Sequence, residues 1–331
     1  MPSRSYYNPL DFKHIDAILR DAHGEPYLRS RWISEESLIC PLFDENSLSY
    51  ALGIDKSILK RIARRSYKHY RVFNIKHKNG KVREICAPRT YLKVIQWWIL
   101  DNILLNNHWP HYVQGFVTGR SAFSNAIAHK GAKHVVNVDV KDFFPSIPES
   151  SVKLIFKDMG YEENTCSLLA RLCTLNGKLP QGAPTSPALA NYFCRELDKD
   201  LSILADSLNC KYTRYADDIT FSSVDFIDID ILTYIDEILK KYNLLANIRK
   251  TRVSGTGHRL EITGFVINDK IQLPREWRKR IRAIFHNASK NPSAFSERKK
   301  ELNGYLSVCK VFERDTQNIK KYQDVLEMIP E

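Results

Sequence analysis

Apolar positions along the chain switch between two periods. In ENSLSYALGIDKSILKRIARR (45–65), Leu48, Leu52, Ile54, Ile58 and Ile62 recur at helical spacing, with a break at Gly53 and Asp55 placed to cap a second helix. The pair reads either as a helical hairpin, a common packing unit, or as a DNA-reading helix-turn-helix. YRVFNIKHKNGKVREICAP (70–88) alternates instead, and Asn79-Gly80 at its centre marks a β-hairpin. Its tip is basic through Lys76, Lys78, Lys81 and Arg83; lysines there also protect an exposed sheet edge. LKVIQWWILDNILL (92–105) returns to a largely buried helix, and HVVNVDVKDFFPSIP (134–148) opens with a β-branched strand ending at Asp139, then turns. After a leucine-rich helical region comes LPQGAPTSPALANYFCRELDKDL (179–201), a tight loop giving way to a helix near Pro187 with Ser186 as its cap. RYADDITF (214–221) reads as two short strands around a tight turn, from the alternation of Tyr212, Arg214 and Ala216 and then Ile219 and Phe221. Residues 229–243 carry Ile231, Ile235, Ile238 and Tyr242 on one helical stripe. A strand pair is expected around RLEITGFVIN (259–268), and the chain is helical and basic from Trp277 onward.

The order from 134 to 268 is strand, helix, strand hairpin, helix, strand. That predicts an α+β fold with a split βαβ pattern, an antiparallel sheet with helices on one face. Asp139 then stands at one strand end and Asp217-Asp218 at a hairpin tip, which adjacent central strands would bring together.

Composition changes this picture in two respects. The 331 residues are 43% hydrophobic and 27% charged, ordinary for a globular chain, but 50 basic against 38 acidic residues leave a net charge of +12. Such an excess favours a polyanion, because phosphate neutralisation releases counterions; a basic protein without such a partner is the alternative. The longest apolar run, Val94 to Leu105, is interrupted by Gln96, Asp101 and Asn102, so no membrane span is expected. Seven cysteines without a CxxC pair argue against a zinc site, and with no apolar signal core at the N-terminus they predict a reduced, cytoplasmic chain.

The acidic doublets Glu35-Glu36 and Glu162-Glu163 read as solvated helix faces. Asp217-Asp218 differs because strands flank it and a third aspartate ends another strand. Three clustered carboxylates repel one another and need a cation. Two Mg²⁺ ions, about 3.5–4 Å apart in polymerases and nucleases, would supply it, with Mn²⁺ as a substitute.

Four boxes occur in order: GKVREICAP (80–88), VDVKDFF (138–144), LPQGAPTSPALAN (179–191) and YADD (215–218). In these the chain resembles reverse transcriptases, most specifically the retron type, over roughly residues 65–310. The resemblance implies a right-hand polymerase: an N-terminal helical region (1–66), fingers (67–133), a palm (134–268) with a fingers insertion around 150–180, and a helical basic thumb (269–331). Asp139, Asp217 and Asp218 resemble the metal-binding triad, with Asp218 either a ligand or an electrostatic, turn-forming neighbour. Asp142 caps the following turn. Phe144 falls at the sugar gate, implying preference for dNTPs, and one of Phe143 and Phe144 belongs to the core. Lys81 and Arg83 resemble the cations that grip the triphosphate, Gln181 falls where the family contacts the incoming nucleotide, and Gly182 permits close backbone approach. Lys250 matches a lysine that protonates the leaving pyrophosphate.

Tyr215 is expected near the primer end. NAIAH (125–129), with Asn125 and His129, fits the N-A-x-x-H element of retron enzymes. Of two candidates for the family's V-T-G triplet, Ile262-Thr263-Gly264 lies in the expected place and Val117-Thr118-Gly119 does not. Recognition of a cognate RNA is the implied role of Asn125, His129, Thr263 and Gly264. Arg275, Arg278, Lys279, Arg280 and Arg282, interleaved with Trp277 and Phe285, are expected to track an A-form duplex. The implied activity is copying a structured non-coding RNA, template and primer at once, into RNA-linked DNA from a guanosine 2′-hydroxyl, within an anti-phage system that has a separate effector protein. The alternatives are an intron-type or diversity-generating reverse transcriptase, which length and NAIAH disfavour, and a non-catalytic nucleic-acid-binding regulator using the 45–65 helices.

Overall fold

The computed structural model describes residues 42, 44–76, 82–105, 107–268, 270–312 and 316–330; Lys78, Asn79-Gly80, Lys81 and the Glu35-Glu36 doublet lie outside the described residues. The first elements among the described residues are α1 (Glu45–Leu52) and α2 (Lys56–Arg64). Asp44 caps α1 by accepting from the Ser47 amide, Gly53 ends it at φ 61°, and Asp55 caps α2 through the Ser57 amide. The pair packs as a helical hairpin, with Leu48, Leu59 and Ile62 in the main core.

Strands β1 (Tyr70–Lys76) and β2 (Val82–Pro88) pair antiparallel, from Tyr70 opposite Pro88 to Lys76 opposite Val82. Helix α3 (Thr90–Ile99) continues into a π-helical turn, Leu100–Leu104, and α4 (Ala122–Ala128) precedes β3 (His134–Asp139). Four helices follow: α5 (Glu149–Asp158), α6 (Glu163–Cys173), α7 (Ser186–Phe193) and α8 (Arg195–Ser207). The hairpin β4 (Lys211–Tyr215) and β5 (Asp218–Ser223) leads to α9 (Ile231–Lys241), β6 (Arg252–Ser254) and a second small hairpin, β7 (Glu261–Ile262) with β8 (Phe265–Val266). Helices α10 (Arg275–Lys290), α11 (Lys299–Phe312) and α12 (Thr316–Met328) complete the chain.

The central sheet has the order β4-β5-β3-β6, antiparallel throughout. Strand alternation divides its two faces. Tyr212, Val136, Val138, Ile219 and Phe221 enter the main core with α7, α8 and α9. The opposite face carries Asn137, Asp139, Asp218 and Thr220. One end of that face is covered: Val135 packs with Ala126 of α4 and with Leu260, Ile262 and Ile267 around the β7–β8 hairpin. The other end, with the aspartates, opens into a cleft. The C-terminal helices have their own core, in which Phe285 stacks on Tyr322 at 4.2 Å beside Leu302, Leu306 and Leu326.

Two sequence expectations change here. The strand that completes the central sheet is β6, not the 259–268 pair, which forms a separate two-stranded sheet. Three residues, Arg-Val-Ser, are too few to display a period of two. Ser186 is the first residue of α7 rather than its cap; its hydroxyl donates to the Pro180 carbonyl at 2.7 Å and ties the LPQG loop to the helix.

Candidate active site

Register builds the site. β3 and β5 pair so that Asp139 lies directly opposite Asp218, and the Val140 amide donates to the Asp217 carbonyl at 2.9 Å. The two-residue turn between β4 and β5 puts Ala216 at φ 60°, a left-handed conformation that costs a non-glycine residue about 1–2 kcal/mol. Arg214 explains how this turn is held. Its side chain is completely buried on the core face of β4 and forks onto Asp198 of α8, with Nε and Nη2 each 2.6 Å from a carboxylate oxygen. Its Nη1 donates to Asn191 Oδ1 and to the Ala216 carbonyl, both at 3.1 Å, and Tyr212 donates its hydroxyl to Asp198 at 2.6 Å. Burial works against the guanidinium charge, but its surroundings, Asp198 foremost with Cys194 and Tyr212, together outweigh it and the Arg214 pKa is raised. Asn191 in turn donates to the Gly115 carbonyl at 3.0 Å. A Cβ on Gly115 would lie 2.2 Å from the Ala216 nitrogen, so the 114–116 segment sits directly against the acidic turn.

The carboxylates are electrostatically strained. Burial raises the Asp217 pKa and nearby Asp139 adds to it, while Lys250 and Arg83 pull it down. Asp218 reaches the cleft, yet the protein around it removes enough water to raise its pKa, with Asp217 and Asp139 adding repulsion, to about 6. Segment 245–247 runs beside Asp139, with the Asn247 amide donating to the Asp139 carbonyl at 2.7 Å. The stretch from Asn247 to Lys250 delivers two side chains to the carboxylate: Asn247 Nδ2 at 3.1 Å and Lys250 Nζ at 2.5 Å. Among the described residues no three acidic, histidine or cysteine side chains form a ready-made ion cage. The donor set nevertheless fits hard divalent cations: oxygen ligands only, two of them with pKa values raised by burial and then by mutual repulsion, and a lysine ammonium on the third. Ion binding would displace Lys250 from Asp139.

A cleft of about 450 Å³ adjoins this cluster, lined by Asn137, Asp139, Asp218, Lys250, Arg252, Ser254, Arg259 and Glu261. Phe143 is buried and Phe144 half-buried, so the core ring is Phe143. Asp142 has φ 48°, and its carbonyl accepts from the Ser146 amide at 2.9 Å, closing the turn through its backbone. The LPQG loop docks on β2, where the Cys86 amide donates to the Gln181 carbonyl at 2.8 Å. Gly182, at φ 116°, has Ile85 Cγ2 and the Cys86 carbonyl oxygen 3.0 and 3.2 Å from where a Cβ would be. Arg83 is exposed on β2 yet close enough to act on Asp217, and Tyr215 pairs with Asp218 on the neighbouring strand. Arg275, Lys279, Arg280 and Arg282 are exposed on α10, and Arg278 is half-buried.

Asn125 and His129 need correction as direct RNA contacts, because both are fully buried. The His129 ring nitrogens each lie 2.7 Å from a hydroxyl, of Ser222 and of Thr213, and burial depresses its pKa to about 3. The ring therefore stays neutral and clips β4 to β5. Asn125 donates to the Thr263 hydroxyl at 3.4 Å, and that hydroxyl donates to the Ala122 carbonyl at 2.7 Å. The NAIAH and Ile-Thr-Gly elements thus meet each other. Thr263 (φ 44°) and Gly264 (φ 82°) form the β7–β8 turn, and Gly264 is exposed.

Sequence reasoning missed the Asp198–Arg214–Asn191–Gly115 chain. Its signal was present: Arg214 alternates onto the core face with Tyr212, and a buried charge demands a buried partner.

An aspartate-bearing hairpin in register with a third aspartate, on an antiparallel sheet backed by helices, agrees with what the chain is similar to. The sequence profile described as "Reverse transcriptase (RNA-dependent DNA polymerase)" matches residues 75–267. The Retron Mx162 reverse transcriptase of Myxococcus xanthus is 34% identical, covering 86% of this chain and 67% of its own length. The Retron Ec86 reverse transcriptase of Escherichia coli is 34% identical over 79% of this chain and 82% of its own. The Retron Mx65 reverse transcriptase of Myxococcus xanthus is 31% identical over 81% and 68%. The chain is an RNA-directed DNA polymerase with the α+β reverse transcriptase fold. It belongs to the retron-type reverse transcriptases. Among the described residues no helix is long and apolar enough to cross a membrane.

Proposed function

We propose that the chain copies a structured non-coding RNA, serving as template and primer, into a short DNA that remains branched from the RNA at a guanosine 2′-hydroxyl. The observation that carries the reading is the register of Asp139 against Asp218, with Asp217 in the adjoining turn and Lys250 beside them. In the reaction the primer oxygen bonds to the α-phosphorus of a dNTP, and the bond from that phosphorus to the pyrophosphate breaks. Mg²⁺ held by Asp139, Asp217 and Asp218 would acidify the attacking hydroxyl and stabilise the pyrophosphate, with Mn²⁺ as a substitute. Lys250, released from Asp139, gives the pyrophosphate its proton. Arg83 and Lys81 grip the triphosphate, Gln181 lines the nucleotide site, and Tyr215 lies at the primer end. Phe144 closes the position a ribose 2′-hydroxyl would need, which favours dNTPs.

Residues 67–133 act as fingers, 134–268 as palm with the insertion around 150–180, and 269–331 as thumb, with residues 1–66 preceding the fingers as a separate N-terminal region. Arg275, Arg278, Lys279 and Arg282 of α10 follow the duplex phosphates. Asn125 serves RNA recognition indirectly, by seating the Thr263–Gly264 turn, and His129 does so by clipping β4 to β5. The same reading places the enzyme in the cytoplasm, in an anti-phage system with a separate effector protein.

The test is to express the chain with its neighbouring genomic RNA and recover nucleic acid. The expected product is short DNA covalently attached to RNA. It disappears in Asp217→Ala, while RNA binding persists. DNA recovered from that variant contradicts the mechanism, and DNA free of any RNA linkage contradicts the branched priming.

A further inference from the structure

Phe116 stands in a conformation that an aromatic residue rarely adopts. Its φ is 62°, in the left-handed region, although no glycine freedom is available to it. Such a backbone persists only where the surroundings over-determine it. They do so here. The Gln114 and Gly115 amides both donate to the Arg214 carbonyl, at 2.8 and 3.2 Å, and the Gly115 carbonyl accepts from Asn191. The Arg120 guanidinium donates to the carbonyls of Trp109, Pro110 and Val113, which holds the approach to the segment. The absent Cβ of Gly115 lets the segment lie against Ala216.

The outcome of this anchoring is where the next ring goes. Phe116 remains 43% exposed, and its ring centroid is 6.0 Å from that of Phe144 at an interplanar angle of 39°. Phe143, in the core, contacts Phe144 at 5.5 Å and 53°. Phe144 is thus held between two rings, one belonging to the core and one carried by a strained loop clamped to the catalytic hairpin.

We infer that Phe116 is a positioning residue for nucleotide selection: it holds the Phe144 ring in the orientation that excludes a ribose 2′-hydroxyl. The inference rests on the sugar-gate reading of Phe144. It makes discrimination depend on the same 114–116 segment that lies against the Asp217–Asp218 turn, so that gate and carboxylates share one support. Without Phe116 the Phe144 ring gains rotational freedom and admits the larger sugar.

The experiment measures kcat/KM for a dNTP and the matching ribonucleotide on an RNA template, using the full chain. Phe144→Ala is expected to lower discrimination most. Phe116→Ala lowers it by roughly 3–10-fold, the scale of one lost aromatic contact, through improved ribonucleotide use rather than slower DNA synthesis. Phe116→Asn, which tolerates the left-handed backbone but lacks the ring, behaves as Phe116→Ala; Phe116→Tyr keeps the discrimination of the parent. The double variant Phe116→Ala/Phe144→Ala discriminates no worse than Phe144→Ala alone, because both changes act on one ring. If Phe144→Ala relaxes discrimination and neither Phe116→Ala nor Phe116→Asn does, this inference fails while the gate stands. Multiplicative loss in the double variant also overturns it. Unchanged discrimination in Phe144→Ala removes the gate, and the inference with it.

Discussion

Arg214 meets Asp198 at 2.6 Å and Lys250 meets Asp139 at 2.5 Å, so by distance the two ion pairs are equals. Their surroundings separate them. The Arg214–Asp198 side chains are 0% and 1% exposed and joined by a two-bond fork, with further hydrogen bonds from Tyr212 and to Asn191 and the Ala216 carbonyl. Lys250 is 46% exposed and makes a single bond from a flexible stem. A buried, forked pair is hard to separate, because either charge left alone pays a large desolvation penalty. A half-exposed lysine regains water when it lets go, whereas the Asp139 side chain, 9% exposed, needs another cation in its place. The central sheet therefore carries one pair suited to permanent scaffold and one suited to yield to the metal and substrate of the proposed function. This is why the fixed pair lies on the core face of the sheet and the releasable one at the open end of the other face.

Substitutions sharpen the contrast. Asp198→Ala leaves Arg214 charged and unpaired in the core and is expected to destabilise the protein by about 3–5 kcal/mol. Asp139→Ala, which relieves repulsion with Asp217 and Asp218, should stay within about 1 kcal/mol of the parent while DNA synthesis is lost. Denaturant melts of both variants check this; equal destabilisation would erase the distinction. Lys250→Met is expected to lower kcat by about 10²-fold with unchanged thermal stability, as befits a proton donor held only loosely in the resting site. Unaltered kcat would reduce Lys250 to an ordinary surface cation.

The smallest effect concerns His129, a buried polar group that bridges the two strands of the hairpin from outside it. Its folded pKa is about 3 against an ordinary 6.5. Below pH 6.5 the unfolded chain takes up a proton that the folded protein refuses, so stability falls as pH drops toward 3. Between pH 6.5 and 5 this amounts to about 2 kcal/mol. Comparing pH-dependent melts of the parent and His129→Gln isolates that slope, and parallel curves would show the imidazole is not the cause.

The sequence made the acidic turn and its partner strand readable because alternation, β-branched residues and the Asp139 spacing are all local. The caps at Asp55 and Gly53 were readable for the same reason. What escaped was non-local or very short. β6 has three residues and shows no period. The fork from Arg214 reaches an acid in another element, and nothing near Gly115 announces that it must abut Ala216. The NAIAH element was recognisable as a pattern, but the burial of Asn125 and His129 emerges only when α4, β4, β5 and the Thr263 turn are assembled. Motifs marked where chemistry is expected; packing shows which of their residues are buried supports and which face the cleft.

The central claim is that Asp217, fixed by this scaffold opposite the Asp139 strand, performs RNA-templated DNA synthesis. The most direct test is primer extension with dNTPs and Mg²⁺ on an RNA template, comparing the parent with Asp217→Asn, a change that keeps shape and removes charge. The account predicts that the parent extends the primer and that the variant is slower by about 10³-fold or more at undiminished RNA affinity and melting temperature. Extension by Asp217→Asn within about tenfold of the parent would contradict it.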